Sequence, residues 1–219
     1  MALFTQQFGI KEVADVAFYN VGDVIYDKTT GAVSAKDGNV KPVLVFDTLK
    51  TSSLEFTGET TEARGGKGNA VLMSWDHSRE ATLTLEDALL SADSLATMLS
   101  NSRATAVGTQ NTVISIDANG FPGTYTVVGK TYARGTDGKD HLFTFLIFKA
   151  KVQSEATLTM EAEGDPSTLN MSLKVLRCVT EDQAKMGAKS GEMIKLILDE
   201  NTTGDKTPEI TWPTQKATT

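Results

Sequence analysis

The feature that most constrains this chain is an alternation of residue character with period two. From Lys149 to Glu163 the odd positions read Lys, Lys, Gln, Glu, Thr, Thr, Glu, Glu, and the even positions from Ala150 to Ala162 read Ala, Val, Ser, Ala, Leu, Met, Ala. Successive side chains of a strand point to opposite faces, so this pattern predicts a strand, or two collinear strands, with one polar and one apolar face. At about 3.3 Å per residue the run spans roughly 50 Å, longer than most strands of compact domains. The pattern recurs where Glu80, Thr82, Thr84 and Glu86 oppose Ala81, Leu83 and Leu85, and where Asn170, Ser172 and Lys174 oppose Met171, Leu173 and Val175. "HLFTFLIF" at 141–148 is instead apolar on both faces, as expected of a strand buried in the middle of a sandwich.

Shorter runs read as strands at Val43–Phe46, Leu54–Gly58, Val71–Trp75, Thr112–Ile116, Thr124–Ala133 and Met193–Leu198. Turn signals separate them at Asp37-Gly38-Asn39, Asn119-Gly120 and Thr136-Asp137-Gly138, and the last Asp-Gly pair predicts a hairpin. One helix is expected at 91–101, where Ser91 is a capping-type residue and Leu95, Met98 and Leu99 form one stripe. The 201–219 segment is polar, carries two prolines and reads as an extended arm or frayed tail. No linker divides the chain, so a single β-rich domain over 1–219 is the economical organisation.

Composition narrows the function classes. Twenty-eight acids against 21 bases give a formal charge of −7, and no basic run exceeds two residues. Gripping nucleic acid through its phosphates needs clustered Lys and Arg, so direct DNA binding is not the expected task. A single cysteine, Cys178, and two histidines, His77 and His141, argue against a disulfide, a Cys-rich zinc site or a His-based metal centre. No cofactor is implied. "MALFTQQFGIKEV" has no apolar signal region and no run of eighteen apolar residues occurs. The chain is therefore expected to stay in the cytoplasm where it is made unless something other than a signal peptide exports it.

Candidate chemistry does not survive inspection. The cluster Gly65, Gly66, Lys67, Gly68 lacks the hydroxyl residue that follows the lysine of a phosphate loop, and "AVLMSW" after it looks like a strand, not a helix. It reads as a flexible tip whose glycines permit positive φ. Asp76, His77 and Ser78 are the residue types of a hydrolase triad, but neighbours on a strand point to opposite faces, and no nucleophile elbow surrounds any serine. His77 is expected to be exposed at a strand end. "DANG" at 117–120 opens like a calcium loop, yet Val128 stands where the bidentate Glu belongs. The adjacent acids Glu86-Asp87 and Asp199-Glu200 fit solvated faces as well as an acid/base pair. Cys178 on "SLKVLRCV" reads as a small buried hydrophobe.

A near-repeat remains: "EATLTLEDA" at 80–88 and "EATLTMEAE" at 155–163. Chance likeness of two amphipathic strands and duplication both explain it. Either way, a polar face turned to water with an apolar face against a second sheet is what a sandwich wall requires.

The segment 62–101, a Gly-rich excursion followed by "NAVLMSWDHSREATLTLEDALLS" and a short helix, resembles the major tail tube proteins of tailed bacteriophages. The alternating strands to about residue 200 agree with that family in order and type, although no invariant motif carries the likeness. The resemblance implies a mainly β fold of two packed antiparallel sheets, sandwich- or barrel-like, with one short flanking α-helix. It implies hexameric rings in which one sheet of each subunit joins a continuous inner barrel, and rings that stack into a hollow tube through a long loop or hairpin and the chain termini. Implied partners are other copies of the chain, the tape-measure protein and double-stranded DNA held transiently and without specific binding in the lumen, tail terminator and baseplate or tip proteins, and a sheath protein if the tail is contractile; no membrane is implied. The implied place is the virion tail, assembled in the host cytoplasm.

Under that resemblance the Thr57–Asn69 stretch is the extended or mobile loop that orders against a neighbouring ring, with Glu59, Glu62, Arg64, Gly65, Gly66, Lys67 and Gly68 as its contact candidates. Glu80, Glu86, Glu155, Glu161 and Glu163 are the lumen-facing candidates, since a negative wall repels DNA phosphates. Two other readings stay open: another virion β-protein of fixed small oligomer, such as a capsid decoration or tail-completion protein, and a monomeric ligand- or carbohydrate-binding sandwich. The latter calls for a cluster of exposed aromatics, whereas Trp75 and Trp212 lie far apart and aromatics make up 7% of the chain. An enzyme is disfavoured because no catalytic constellation survives.

Overall fold

The structure, a computed structural model, describes residues 7–37, 40–89, 91–99, 105–107, 111–116, 118–153, 168–199 and 210–213. Its strands are β1 (Phe8–Ile10), β2 (Asp15–Asn20), β3 (Val24–Tyr26), β4 (Val33–Ala35), β5 (Leu44–Phe46), β6 (Leu49–Gly65) and β7 (Ala70–Asp87), then β8 (Thr105–Val107), β9 (Asn111–Val113), β10 (Thr124–Gly135), β11 (Asp140–Val152), β12 (Leu169–Val175) and β13 (Ile194–Leu198). Helices α1 (Ala92–Leu99) and α2 (Thr180–Met186) complete the described elements.

The chain is mainly β with antiparallel pairing. One ladder runs β5-β2-β10-β11-β12-β7-β6, with β1 added to β10 and β13 to β11, while β3–β4 and β8–β9 form separate hairpins. The middle of the ladder is the β10–β11 hairpin, turned at Thr136–Lys139 where Gly138 has φ +79° and Asp137 accepts the Lys139 N–H at 3.0 Å. This is the hairpin that the Asp-Gly pair predicts. Opposite Thr126, β11 carries an extra residue, and the Thr126 hydroxyl donates to the Phe148 carbonyl at 2.9 Å, so the bulge leaves that buried oxygen satisfied.

Alternation places β2, β10 and β11 between two cores. Val16, Phe18, Val127, Phe145 and Ile147 enter one, which the inward residues of β7 (Ala81, Leu83, Leu85) and β12 (Met171, Leu173) close from the far side together with Met98 of α1. Two antiparallel layers thus share that core. Ala17, Tyr19, Val128, Leu146 and Phe148 enter the second, covered by Val24 of β3, Met186 of α2, Cys178 and Ala188, with Trp212 packed against it. The two-sided apolar run at 141–148 is accounted for by this burial on both faces. Cys178 is buried, and burial pushes its thiol up to about 11, so it is the small hydrophobe that its surroundings suggest.

Ser91 caps α1: its hydroxyl accepts the Ser94 N–H at 3.0 Å while the Ser94 hydroxyl accepts the Ser91 N–H at 3.1 Å, a reciprocal box in which Ser94 stands where Glu or Gln is usual. The described helix runs from Ala92 to Leu99 within the expected 91–101 span, and residues 100 and 101 lie outside the described residues.

Three expectations are corrected. The chain has a second helix, α2, whose seven residues are too few to show a period; it starts where Asp182 accepts the Val179 N–H at 3.1 Å and stops at Gly187, φ +70°. Of the run read as a strand, or two collinear strands, over 149–163, the first residues finish β11 at Val152 and Gln153 lies outside that strand, while 154–163 fall outside the described residues. Thr57–Asn69 is not a loop, because Thr57 to Gly65 pair along β6 and the turn is confined to Gly66–Asn69. His77 is inside a strand, not at its end. Of the expected C-terminal arm only 210–213 is described, and there Lys130, buried in β10, donates from Nζ to the Thr211 carbonyl at 2.5 Å. Among the described residues no helix is long and apolar enough to cross a membrane, and no group of three or more His, Cys, Asp or Glu stands where it could hold a metal ion.

Candidate functional site

β6 and β7 pair from Leu49–Asp87 to Gly65–Ala70, but only the inner part of this hairpin belongs to the body. β12 flanks β7 no further than Thr82, and from Ala70 to Glu80 every residue of β7 is exposed. Beyond Gly58 the two strands therefore project as an arm with both faces open, about 25 Å long at roughly 3.3 Å per residue.

The junction between body and arm is a β-bulge. Thr57 pairs with Glu80 and Glu59 with His77, so Ser78 and Arg79 together oppose Gly58, and Ser78 takes φ +55°. Past it, Thr60 donates to Asp76 at 2.7 Å, His77 reaches the Glu59 carbonyl at 3.0 Å and the Glu59 carboxylate at 3.5 Å, and Arg64 binds Glu62 at 2.6 Å. Asp76 and His77 thus have separate partners, Thr60 and Glu59, while Ser78 sits in the bulge itself. At the tip, Gly66, Gly68 and Asn69 all have positive φ, so the glycines read as a tip that permits positive φ are the material of a tight turn. Of the expected contact residues, Glu59, Glu62, Arg64 and Gly65 lie on β6 and Gly66, Lys67 and Gly68 in this turn.

The arm's apolar residues are what sequence inspection missed. Val71, Leu72, Met73 and Trp75 are exposed, Leu72 at 70% and Met73 at 64%. Trp75 pairs with Thr61 and Met73 with Ala63 on one face, and Leu72 lies over Gly65. "AVLMSW" signals a strand; that nothing among the described residues covers it is visible only in three dimensions.

The second feature is the outer face of β12–β7–β6. Register places Thr51, Ser53, Glu55 and Thr57 beside Glu86, Thr84, Thr82 and Glu80, which in turn stand beside Asn170, Ser172 and Lys174. Every side chain on it is polar, and three carboxylates face one ammonium, Lys174, which binds Glu80 at 3.0 Å. The opposite faces of the same strands carry Leu54, Leu83, Leu85, Met171 and Leu173 into or against the core. Of the lumen candidates, Glu80 and Glu86 lie on this polar face, Glu55 joins them, and Glu155, Glu161 and Glu163 fall outside the described residues. Asp87 does not accompany Glu86: it turns inward, is buried and accepts the Thr48 hydroxyl at 2.5 Å.

A third feature is an apolar groove of about 620 Å³ at the base of the arm. Ile10, Val13, Phe56, Phe143, Phe145 and Leu196 line it.

A model of the YomU/Tube protein family matches the chain over residues 8–102 and 101–189, a span that takes in the arm, the polar face and both cores. No curated protein matches the chain.

Proposed function

The chain belongs to the YomU/Tube protein family, as a phage tube-type structural protein of the virion tail, and on that premise we propose that six copies close into a ring and that rings stack into the hollow tube of a phage tail. The role is structural, not catalytic. The observation that carries this reading is the arm. An isolated two-stranded ribbon is marginal in water, and this one also exposes four large apolar side chains at its end. Burying Leu72, Met73 and Trp75 is worth about 1.5–3 kcal/mol each before the cost of association, so a second copy is the natural cover.

In this arrangement the arm of each subunit reaches a subunit of the adjacent ring, and the polar face of β12–β7–β6 lines the channel. Ring closure also pairs the free edge of β6, which otherwise presents an unsatisfied backbone row. A hydroxyl-rich, negatively charged wall offers DNA phosphates no cation cluster, so the tape-measure protein and then double-stranded DNA pass through without specific binding. Tail terminator and baseplate or tip proteins bound the tube, and a sheath encloses it if the tail contracts.

Negative-stain electron microscopy of the purified protein at rising concentration tests the reading. Hollow filaments with a regular ring repeat are expected, and a protein that stays monomeric at high concentration contradicts it.

A further inference from the structure

The chain carries an apolar knob and an apolar hole that lie apart in the structure, both exposed. Phe56, on the rim of the groove, pairs with Ala81 at the start of the arm, whereas Met73 and Leu72 lie eight and nine residues further along β7. That is about 25–30 Å of extended strand, and the tip residues at its end stay exposed, Leu72 at 70% and Met73 at 64%. The groove is open: Ile10 is 60% exposed, Phe56 50% and Leu196 56%, around a floor that includes the buried Phe145.

Charge distinguishes the two surfaces. The tip from Thr61 to Trp75 contains Glu62, Arg64 and Lys67, a net positive segment on a chain of charge −7. Lys11, Glu12 and Lys50 line the groove itself, and in the surroundings of Glu12 and Lys11 stand Asp15, Asp47 and Asp140, the last also bound by Arg134 at 2.9 Å, so four carboxylates face three basic groups there. Lys11 is already engaged by Asp140 at 3.2 Å and Glu12 at 3.8 Å. Asp15 lies close enough to Asp47 and Glu12 for their charges to oppose its ionisation.

We propose that the arm tip of one copy, Leu72, Met73 and Trp75 with Lys67 beside them, seats in the groove lined by Ile10, Val13, Phe56, Phe143, Phe145 and Leu196 of a second copy. This rests on the tube reading and specifies its inter-ring contact. Knob and hole sit at different places on the same chain, so the contact is heterologous. It does not close on itself: the copy docked through its tip still offers its groove, and the copy that received it still offers its tip. Lys67 of the incoming arm falls among the carboxylates of the groove mouth, where it offsets their repulsion.

Cross-linking between two variants tests this. Leu72→Cys and Val13→Cys are made separately; the native Cys178 is buried and does not compete. The two are mixed, assembled and treated with a short bis-maleimide. A linked dimer that forms in the mixture, and in neither variant alone, is the expected result. Filaments that form without this link, or that link Leu72→Cys to another surface, overturn the groove assignment while leaving the tube reading standing; a mixture that never polymerises contradicts both. Protection of the Val13→Cys thiol in the monomer would mean that the chain fills its own groove, which also overturns the proposal. Independently, Trp75→Asp raises the critical concentration for polymerisation at least about tenfold, and Lys67→Glu weakens polymerisation in a way that Glu12→Lys restores. A Trp75→Asp protein that polymerises like the parent contradicts the contact.

Discussion

Asp15 shows how this chain holds an unfavourable charge in its unassembled state. Its carboxyl is raised above the ordinary range first by burial and then by Asp47 and Glu12. An acid with a raised folded-state pKa binds its proton more tightly in the native protein than in the unfolded chain. Stability therefore falls as pH rises through that interval, and the cost is complete above it. Asp15→Asn is predicted to raise the melting temperature at pH 7, with the gain shrinking as pH falls toward about 4. Melting curves across that range check it, and an equal gain at both ends contradicts the account. Gly187 is constrained differently: it ends α2 at φ +70°, and a Cβ there would stand 2.0 Å from the Tyr26 carbonyl oxygen. Gly187→Ala is predicted to cost about 1–3 kcal/mol or more, because backbone and not a movable side chain blocks the space, and denaturant unfolding reads this directly. Ser91, Asp137-Gly138 and Cys178 could be assigned from local chemistry alone, since cap, turn and burial each depend on a few neighbours. Gly187 could not, because the atom that excludes a side chain there is far away in sequence.

At the scale of elements, alternation marks strands but not what lies against them. β7 shows the point. Its inner half alternates and is buried on one side, whereas its outer half begins with the apolar run "AVLMSW", which nothing among the described residues covers. Thr57–Asn69 looked like a loop because its glycines and charges resemble one. The ladder through Thr60, Thr61 and Glu62 forms because β7 supplies a partner at each position, including the bulge that absorbs the extra residue at Ser78. Similarly, α2 escaped notice because seven residues show no period, and its start is marked only by the local bond from the Val179 N–H to Asp182. Because the arm contributes nothing to either core, removing residues 62–68 is predicted to leave the monomer's circular dichroism and melting temperature nearly unchanged and to abolish filament growth. Tubes of normal length and stability from that variant would show that the arm is not the contact.

For the whole molecule, both layers and the continuous ladder are explained by burial, and the arm, the polar face and the groove by what burial leaves outside. The polar face was partly legible: Glu80 and Glu86 fall on it by parity, whereas Glu55 joins them only through the register of β6 on β7. Replacing Glu55, Glu80 and Glu86 by Lys is predicted to leave filaments that retain duplex DNA at low salt and release it as salt rises, since exposed lysines gain phosphate partners by displacing counterions. Indifference to DNA would place this face on the outside. The most direct measurement of the central claim is a helical reconstruction of the filaments by electron cryomicroscopy. Six subunits per ring are expected, with the β12–β7–β6 polar face toward the channel and each arm crossing into the adjacent ring. A map in which the arm lies along its own subunit, or in which that face points outward, contradicts the account.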